Sequence, residues 1–91
     1  MTRRSRLEIY FDILDVIERG VTKPTQVMYN TNLSWATLQD IFETLIQGGF
    51  ITEEMEKNAK RYLVTEKGRN ALSYYLKSLN GLVDVKQVFT Q

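Results

Sequence analysis

Apolar positions fall into helical stripes over most of the chain and into short alternating runs near its middle. Leu7, Tyr10, Phe11, Leu14 and Ile17 share one face of a helix from Ser5 or Arg6 to about Arg19. Glu8, Asp12, Asp15 and Arg19 take the other face, and Ile9, Ile13 and Val16 widen the apolar side. A helix so apolar should pack on more than one neighbour or at a subunit contact. Gly20 stops it. Lys23-Pro24-Thr25 opens a second helix, because the missing N–H of Pro24 costs little in a first turn. Val27 and Met28 point inward, and Tyr29-Asn30-Thr31-Asn32 reads as a turn, with Tyr29 packed beneath it. Leu33 pins the turn to the core. A longer helix then runs from about Ser34 to Gln47. Ser34 is its N-cap, Leu38, Ile41, Phe42 and Leu45 its buried stripe, and Gly48-Gly49 its stop. Ala36, Thr37, Asp40, Glu43, Thr44 and Gln47 occupy the opposite face.

The periodicity changes after Gly49. Residues 50–55 and 61–65 read as short strands, and the polar Glu56-Lys57-Asn58-Ala59-Lys60 between them has hairpin length. Glu53 and Glu54, adjacent on a strand, point to opposite faces. Thr65 caps a last helix, with Glu66 in its first turn where a negative charge is favourable. Gly68 weakens that turn slightly. Leu72, Leu76, Leu79 and Val83 follow a rhythm that suits a coiled-coil seam, with Tyr75, Leu82 and Phe89 beside it. One copy of the chain cannot cover a seam of that length, so dimerisation is the natural consequence. The expectation is a continuous or kinked helix through Asn80-Gly81, although that pair prefers turns.

The order helix, helix, turn, helix, hairpin, helix is that of a winged helix-turn-helix, in which the second helix of the pair can enter a nucleic-acid groove. The expected class is therefore mainly α with a small β-hairpin (α+β). Residues 1–66 form the winged domain with a flexible basic arm over residues 1–5, and residues 67–91 form a dimerisation helix.

Composition narrows the function. Ninety-one residues make one domain, and 43% hydrophobic content argues against wholesale disorder. There is no cysteine and no histidine, so the usual thiolate and imidazole ligands, the cysteine nucleophile and the commonest general base are missing. No phosphate-binding glycine loop appears, and no carboxylate pair has a reason to converge. The expected protein is not an enzyme and takes no cofactor or metal. No apolar run is long enough for a membrane span and no signal peptide is visible, so a cytoplasmic place is expected, with no membrane partner and no evident small-molecule ligand.

The net charge of +1 hides a strong pattern. Arg3, Arg4 and Arg6 make the start basic, Glu8, Asp12, Asp15 and Glu18 make the next segment acidic, and Lys57, Lys60, Arg61, Lys67 and Arg69 outnumber Glu56 and Glu66. Clusters matter more than the total for a polyanionic partner. The candidate nucleic-acid-binding residues are Arg3, Arg4 and Arg6 of the arm, Ser34, Trp35 and Thr37 at the start of the long helix, Lys57, Lys60 and Arg61 of the hairpin, and Arg69. Trp35 lies at the edge of the apolar stripe, where a packing role competes with a contact role. The bland reading of every charge run is a solvated face.

Four segments carry a family resemblance: Ser5-Arg6-Leu7-Glu8-Ile9, Met28 through Ser34, Gly49-Phe50-Ile51, and Tyr62 through Gly68. Over about residues 5–70 the chain resembles the small archaeal winged-helix proteins typified by the dimeric DNA-binding chromatin proteins of Sulfolobus. The resemblance implies a long final helix that pairs antiparallel in a homodimer. It implies binding to double-stranded DNA through the second helix of the pair, the wing and basic residues near the N-terminus. It also implies an archaeon, or a virus of one, as the source, and hence a nucleoid or host-cytoplasm setting. The expected role is transcriptional regulation or chromatin organisation. One departure matters: the outer face of the long helix carries Asp40 and Glu43 and no Lys or Arg. Two acids oppose binding to phosphates, unless the helix enters by its N-terminal end. They motivate the alternative of a protein-interaction module that keeps the scaffold without DNA binding.

Overall fold

The computed structural model describes residues 4–79 and Gly81. Its elements are α1 (Arg6–Glu18), α2 (Pro24–Thr31), α3 (Trp35–Gln47), β1 (Ile51–Glu56), β2 (Ala59–Val64) and α4 (Glu66–Leu79). The described residues thus form an α+β unit of four helices and one two-stranded antiparallel sheet.

Helix α1 starts in a capping box. The Ser5 hydroxyl accepts from the Glu8 N–H while the Glu8 carboxylate accepts from the Ser5 N–H. Its apolar side is wide enough to pack against α2, α4 and β2 at once. Phe11, Ile13, Leu14 and Ile17 are buried. The arm expected over residues 1–5 is held at its inner end. Arg4 Nη1 lies 2.8 Å from Asp12, and Arg4 Nη2 donates to the Thr31 carbonyl at 2.7 Å. That second bond places a cation at the C-terminal end of α2, where the helix dipole favours one.

The turn between α2 and α3 is shorter than expected. Tyr29, Asn30 and Thr31 are still helical, and Asn32 alone turns the chain, in the left-handed conformation (φ 57°, ψ 41°). The Thr31 hydroxyl is buried and donates to the Val27 carbonyl at 2.7 Å, so a turn-forming residue type is satisfied inside a helix. Tyr29 is not packed under the turn; it is 78% exposed on the outer side of α2. Ser34 caps α3 by accepting from the Thr37 N–H, and Leu38, Ile41, Phe42 and Leu45 form the buried stripe as read.

The hairpin is longer and its loop tighter than the residue types suggest. Strand pairing runs from Ile51 opposite Val64 to Glu56 opposite Ala59, which leaves only Lys57 and Asn58 in the turn. Both have positive φ, 50° and 66°, the signature of a type I′ turn. Phe42 stacks on Tyr62 with centroids 4.0 Å apart, joining α3 to the base of the wing. The chain before α2 also touches the wing, since the Tyr62 N–H donates to the Thr22 carbonyl at 2.9 Å.

Helix α4 is capped by Thr65, whose hydroxyl accepts from the Gly68 N–H and donates to the Gly49 carbonyl. Ala71 and Leu72 are buried, and Phe11 stacks on Tyr75 at 4.1 Å. The stripe expected to form a seam therefore divides. Leu72 and Tyr75 pack on the chain's own core, while Leu76 and Leu79 are exposed. The described helix spans Glu66–Leu79, and Gly81 is not helical. Gly81 has φ 74°, a conformation other residues adopt at a cost, and its N–H returns to the Ser78 carbonyl. Asn80, Leu82, Val83 and Phe89 lie outside the described residues, as does Arg3.

Candidate nucleic-acid interface

Helix α3 and the wing stand side by side. Gln39, Asp40, Phe42, Glu43, Ile46 and Gln47 of α3 line a groove whose other wall is Glu53, Lys60 and Tyr62. At the start of α3, Trp35 is 48% exposed. The Ser34 hydroxyl donates to the Thr37 hydroxyl at 2.9 Å while accepting the Thr37 N–H. Ser34, Trp35 and Thr37 thus sit together at the positive end of the helix dipole.

The wing cations differ from one another. Lys60 Nζ lies 3.2 Å from Glu53. Its hydrogen bond to Glu53, more than any other contact, raises its pKa above the ordinary lysine value. Arg61 bonds Glu56 at 2.6 Å through Nη1. Its Nε lies 3.6 Å from Glu54, within ion-pair reach but without a hydrogen-bond acceptor of its own. Lys57, at the turn, makes no ion pair among the described residues. A second depression on the wing gathers Thr22, Lys23, Glu56, Lys57, Ala59, Lys60 and Arg61. Lys23 joins the basic cluster there. Nothing local in the sequence marks it, because its neighbours lie more than thirty positions away along the chain.

Arg6 is the first residue of α1 rather than part of a free arm. Its Nη2 donates to Asp40 at 2.8 Å and its Nε to the Tyr10 hydroxyl at 2.8 Å. The bond to Asp40 first, and that to Tyr10 second, hold its pKa above the ordinary arginine value. Arg69 is placed elsewhere. It bonds the Val64 carbonyl and lies 3.9 Å from Glu18, in a depression with Leu72, Ser73, Leu76 and Lys77 that no α3 or wing residue lines. Among the described residues, no group of three acidic side chains could hold a metal ion, and no helix is long and apolar enough to cross a membrane.

A helix pair joined by a tight turn, backed by α1 and followed by a hairpin beside its second helix, is the geometry of a winged helix. The profile of the Winged helix-turn-helix family matches residues 3–83, and the chain belongs to that family. It is 35% identical over 71 residues to an uncharacterized protein of Methanocaldococcus jannaschii, a match covering 78% of this chain and 69% of that one. Among solved structures it is similar to Sso10a-2, a DNA-binding protein from Sulfolobus solfataricus. That likeness has a TM-score of 0.68 and 27% identity, over 92% of this chain and 90% of the other. FabT of Streptococcus pneumoniae, solved in complex with DNA, superposes with a TM-score of 0.70 over 98% of this chain and 68% of its own. At 20% identity that likeness speaks for the fold alone. The resemblance to small archaeal winged-helix proteins, read from residues 5–70, is matched by these findings.

Proposed function

We propose that this chain binds double-stranded DNA as a homodimer and acts as a transcriptional regulator or chromatin-organising protein. The observation that carries the reading is Lys57, a cation with no ion pair among the described residues, at the tip of a wing that forms one wall of a groove with α3. Phosphate neutralisation supplies most non-specific affinity for DNA, and a lysine with no carboxylate partner among the described residues breaks no ion pair there to make that contact. In this reading residues 1–66 hold the DNA contacts. Helix α3 enters by its N-terminal end, with Ser34, Trp35 and Thr37 foremost, and Arg3, Arg4, Arg6, Lys60 and Arg61 add charge around it, while Arg69, beside Glu18 on another face, takes no part. Lys60 and Arg61 must exchange Glu53, Glu54 and Glu56 for phosphates, so their net contribution is smaller than that of Lys57. Residues 67–91 pair two copies, starting from the exposed Leu76 and Leu79. The likeness to Sso10a-2, a DNA-binding protein, supports the first half of this reading. A nucleoid-associated place in the cytoplasm follows from it.

The test is binding to a random-sequence duplex at two salt concentrations, with a Lys57→Ala/Lys60→Ala/Arg61→Ala variant alongside. Salt-sensitive binding is expected, and losing up to three phosphate contacts should flatten the log–log salt slope by as much as about 2.7. Binding that ignores salt, or none at low salt, overturns the reading. The second reading is a protein-interaction module, and one observation favours it: Glu43 and Glu53 face the same groove beside α3. It gains if the wild-type chain leaves duplex DNA free at low salt.

A further inference from the structure

The two acids on the outer face of α3 are not equivalent. Glu43 makes no ion pair among the described residues, whereas Asp40 receives Arg6 from 34 positions away. Arg6 is held at two of its nitrogens, by Asp40 on Nη2 and by the Tyr10 hydroxyl on Nε. The guanidinium carbon also lies 5.4 Å from the Tyr10 ring centroid. Tyr10 is itself packed against the core, and the Ser5–Glu8 capping box sets where α1 begins. Two bonds at different nitrogens fix the plane of the group. A guanidinium has five N–H donors in a rigid fork, so three remain, and the Arg6 side chain is 54% exposed.

We propose that Asp40 is a positioning residue for a duplex-phosphate contact made by Arg6. Helix α3 has no cation of its own on its outer face and takes one from α1. The Asp40 carboxylate holds the guanidinium fork at the rim of α3, with its free N–H groups outward, where a phosphate accepts two of them side by side. A lysine at position 6 would carry the charge without the fork. Counting charges gives the opposite expectation, because removing an acid from a face that meets a polyanion strengthens binding. That opposition of sign makes the inference testable. It rests on the DNA-binding reading above.

The experiment measures binding of the full chain to a random-sequence duplex across a salt series. It compares wild type with Asp40→Ala, Glu43→Ala, Arg6→Ala, Arg6→Lys and the Arg6→Ala/Asp40→Ala double variant. Asp40→Ala should weaken binding about three- to tenfold, in the lower part of the range for a coupled pair. Its salt slope should fall by about 0.9, one phosphate contact, a change that mere loosening of α3 does not produce. Glu43→Ala should bind as wild type or more tightly. Arg6→Ala should weaken binding, Arg6→Lys should restore it only in part, and the double variant should be no weaker than Arg6→Ala alone. If Asp40→Ala tightens binding as Glu43→Ala does, or still weakens it when Arg6 is absent, the positioning role is wrong and the DNA-binding reading stands. If wild type binds no duplex at low salt, that reading falls and takes this inference with it.

Discussion

Gly68 sits where the first turn of α4 crosses the entry to the wing. A Cβ at this position would run into the Phe50 carbonyl and lie 2.7 Å from a methyl of Val64. The backbone carbonyl cannot swing aside as a side-chain tip can, so the gain in helix propensity on adding a methyl is overridden by the clash. Gly68→Ala should cost about 2–3 kcal/mol, as overpacking in a tight site does. The thermal midpoint should then fall by roughly 10–20 °C. A midpoint at or above wild type would mean that the Phe50–Gly68 approach can relax. From sequence this residue reads as a mild weakness of the first turn, because what requires glycine is a carbonyl 18 positions away. Tyr62 gives a second prediction at this scale. Its phenol is buried against Phe42, and burial, then Glu53, push its pKa above the ordinary value of about 10 while Lys60 opposes them. A phenol with a raised folded pKa keeps its proton longer in the folded state. Stability is therefore fully present below pH ~10, the unfolded pKa, and falls as pH rises through the folded one. Thermal midpoints measured from pH 8 to pH 11 should decline less steeply in Tyr62→Phe than in wild type (the pH limits bracket that phenol range, about 10 and up). Equal slopes would show that other groups set the alkaline limit.

The wing shows at the scale of an element how charge and conformation compete. A type I′ turn favours Asn or Gly at both central positions because both need positive φ. Here the first position is Lys57 at φ 50°, with Asn58 following at 66°. A side chain of this kind in the left-handed region costs about 1 kcal/mol. Lys57→Asn should raise stability by about 0.5–1 kcal/mol. On the proposed function the same change should weaken duplex binding and flatten its salt slope by about 0.9. A variant that gains stability and binds as before would separate the turn from the contact. This element also marks what could be read from the chain alone. The alternation around residues 50–65 announced a hairpin, and the helical stripes announced α1 through α4, because burial writes its period into the sequence. The polar run Glu56 to Lys60 looked like a five-residue loop, since nothing in it reveals that Glu56, Ala59 and Lys60 pair in the ladder. Asn30 and Thr31 looked like a turn for the same reason: their side chains are satisfied within α2, a fact settled by neighbours and not by propensity. The Arg6–Asp40 pair left no local mark at all, since its two residues meet only once α1 and α3 have packed.

The stripe on α4 carries the question of assembly to the whole molecule. Leu72 is 6% exposed and closes the core, whereas Leu76 and Leu79 are 49% and 65% exposed, with Tyr74 exposed nearby. An apolar residue left in water on a helix gains by meeting another copy of the same face, and an isologous pairing would place two winged units on one particle. Leu76→Glu/Leu79→Glu removes that gain without touching Phe11, Leu72 or Tyr75, so its thermal midpoint at low concentration should stay close to wild type. Sedimentation at roughly 50 µM, high enough for mass action to favour a dimer of moderate affinity, should show a dimer for wild type and a monomer for the variant. If each unit contacts the same duplex, linking them raises the effective concentration of the second, and its loss should weaken binding to a long duplex by about a hundredfold or more. Binding to a duplex too short for two units should change little. Loss on the long duplex alone would tie the apolar face to DNA through assembly. Equal loss on both would mean that α4 supports the winged unit itself, and a monomeric wild type would leave DNA recognition to a single α3 and wing.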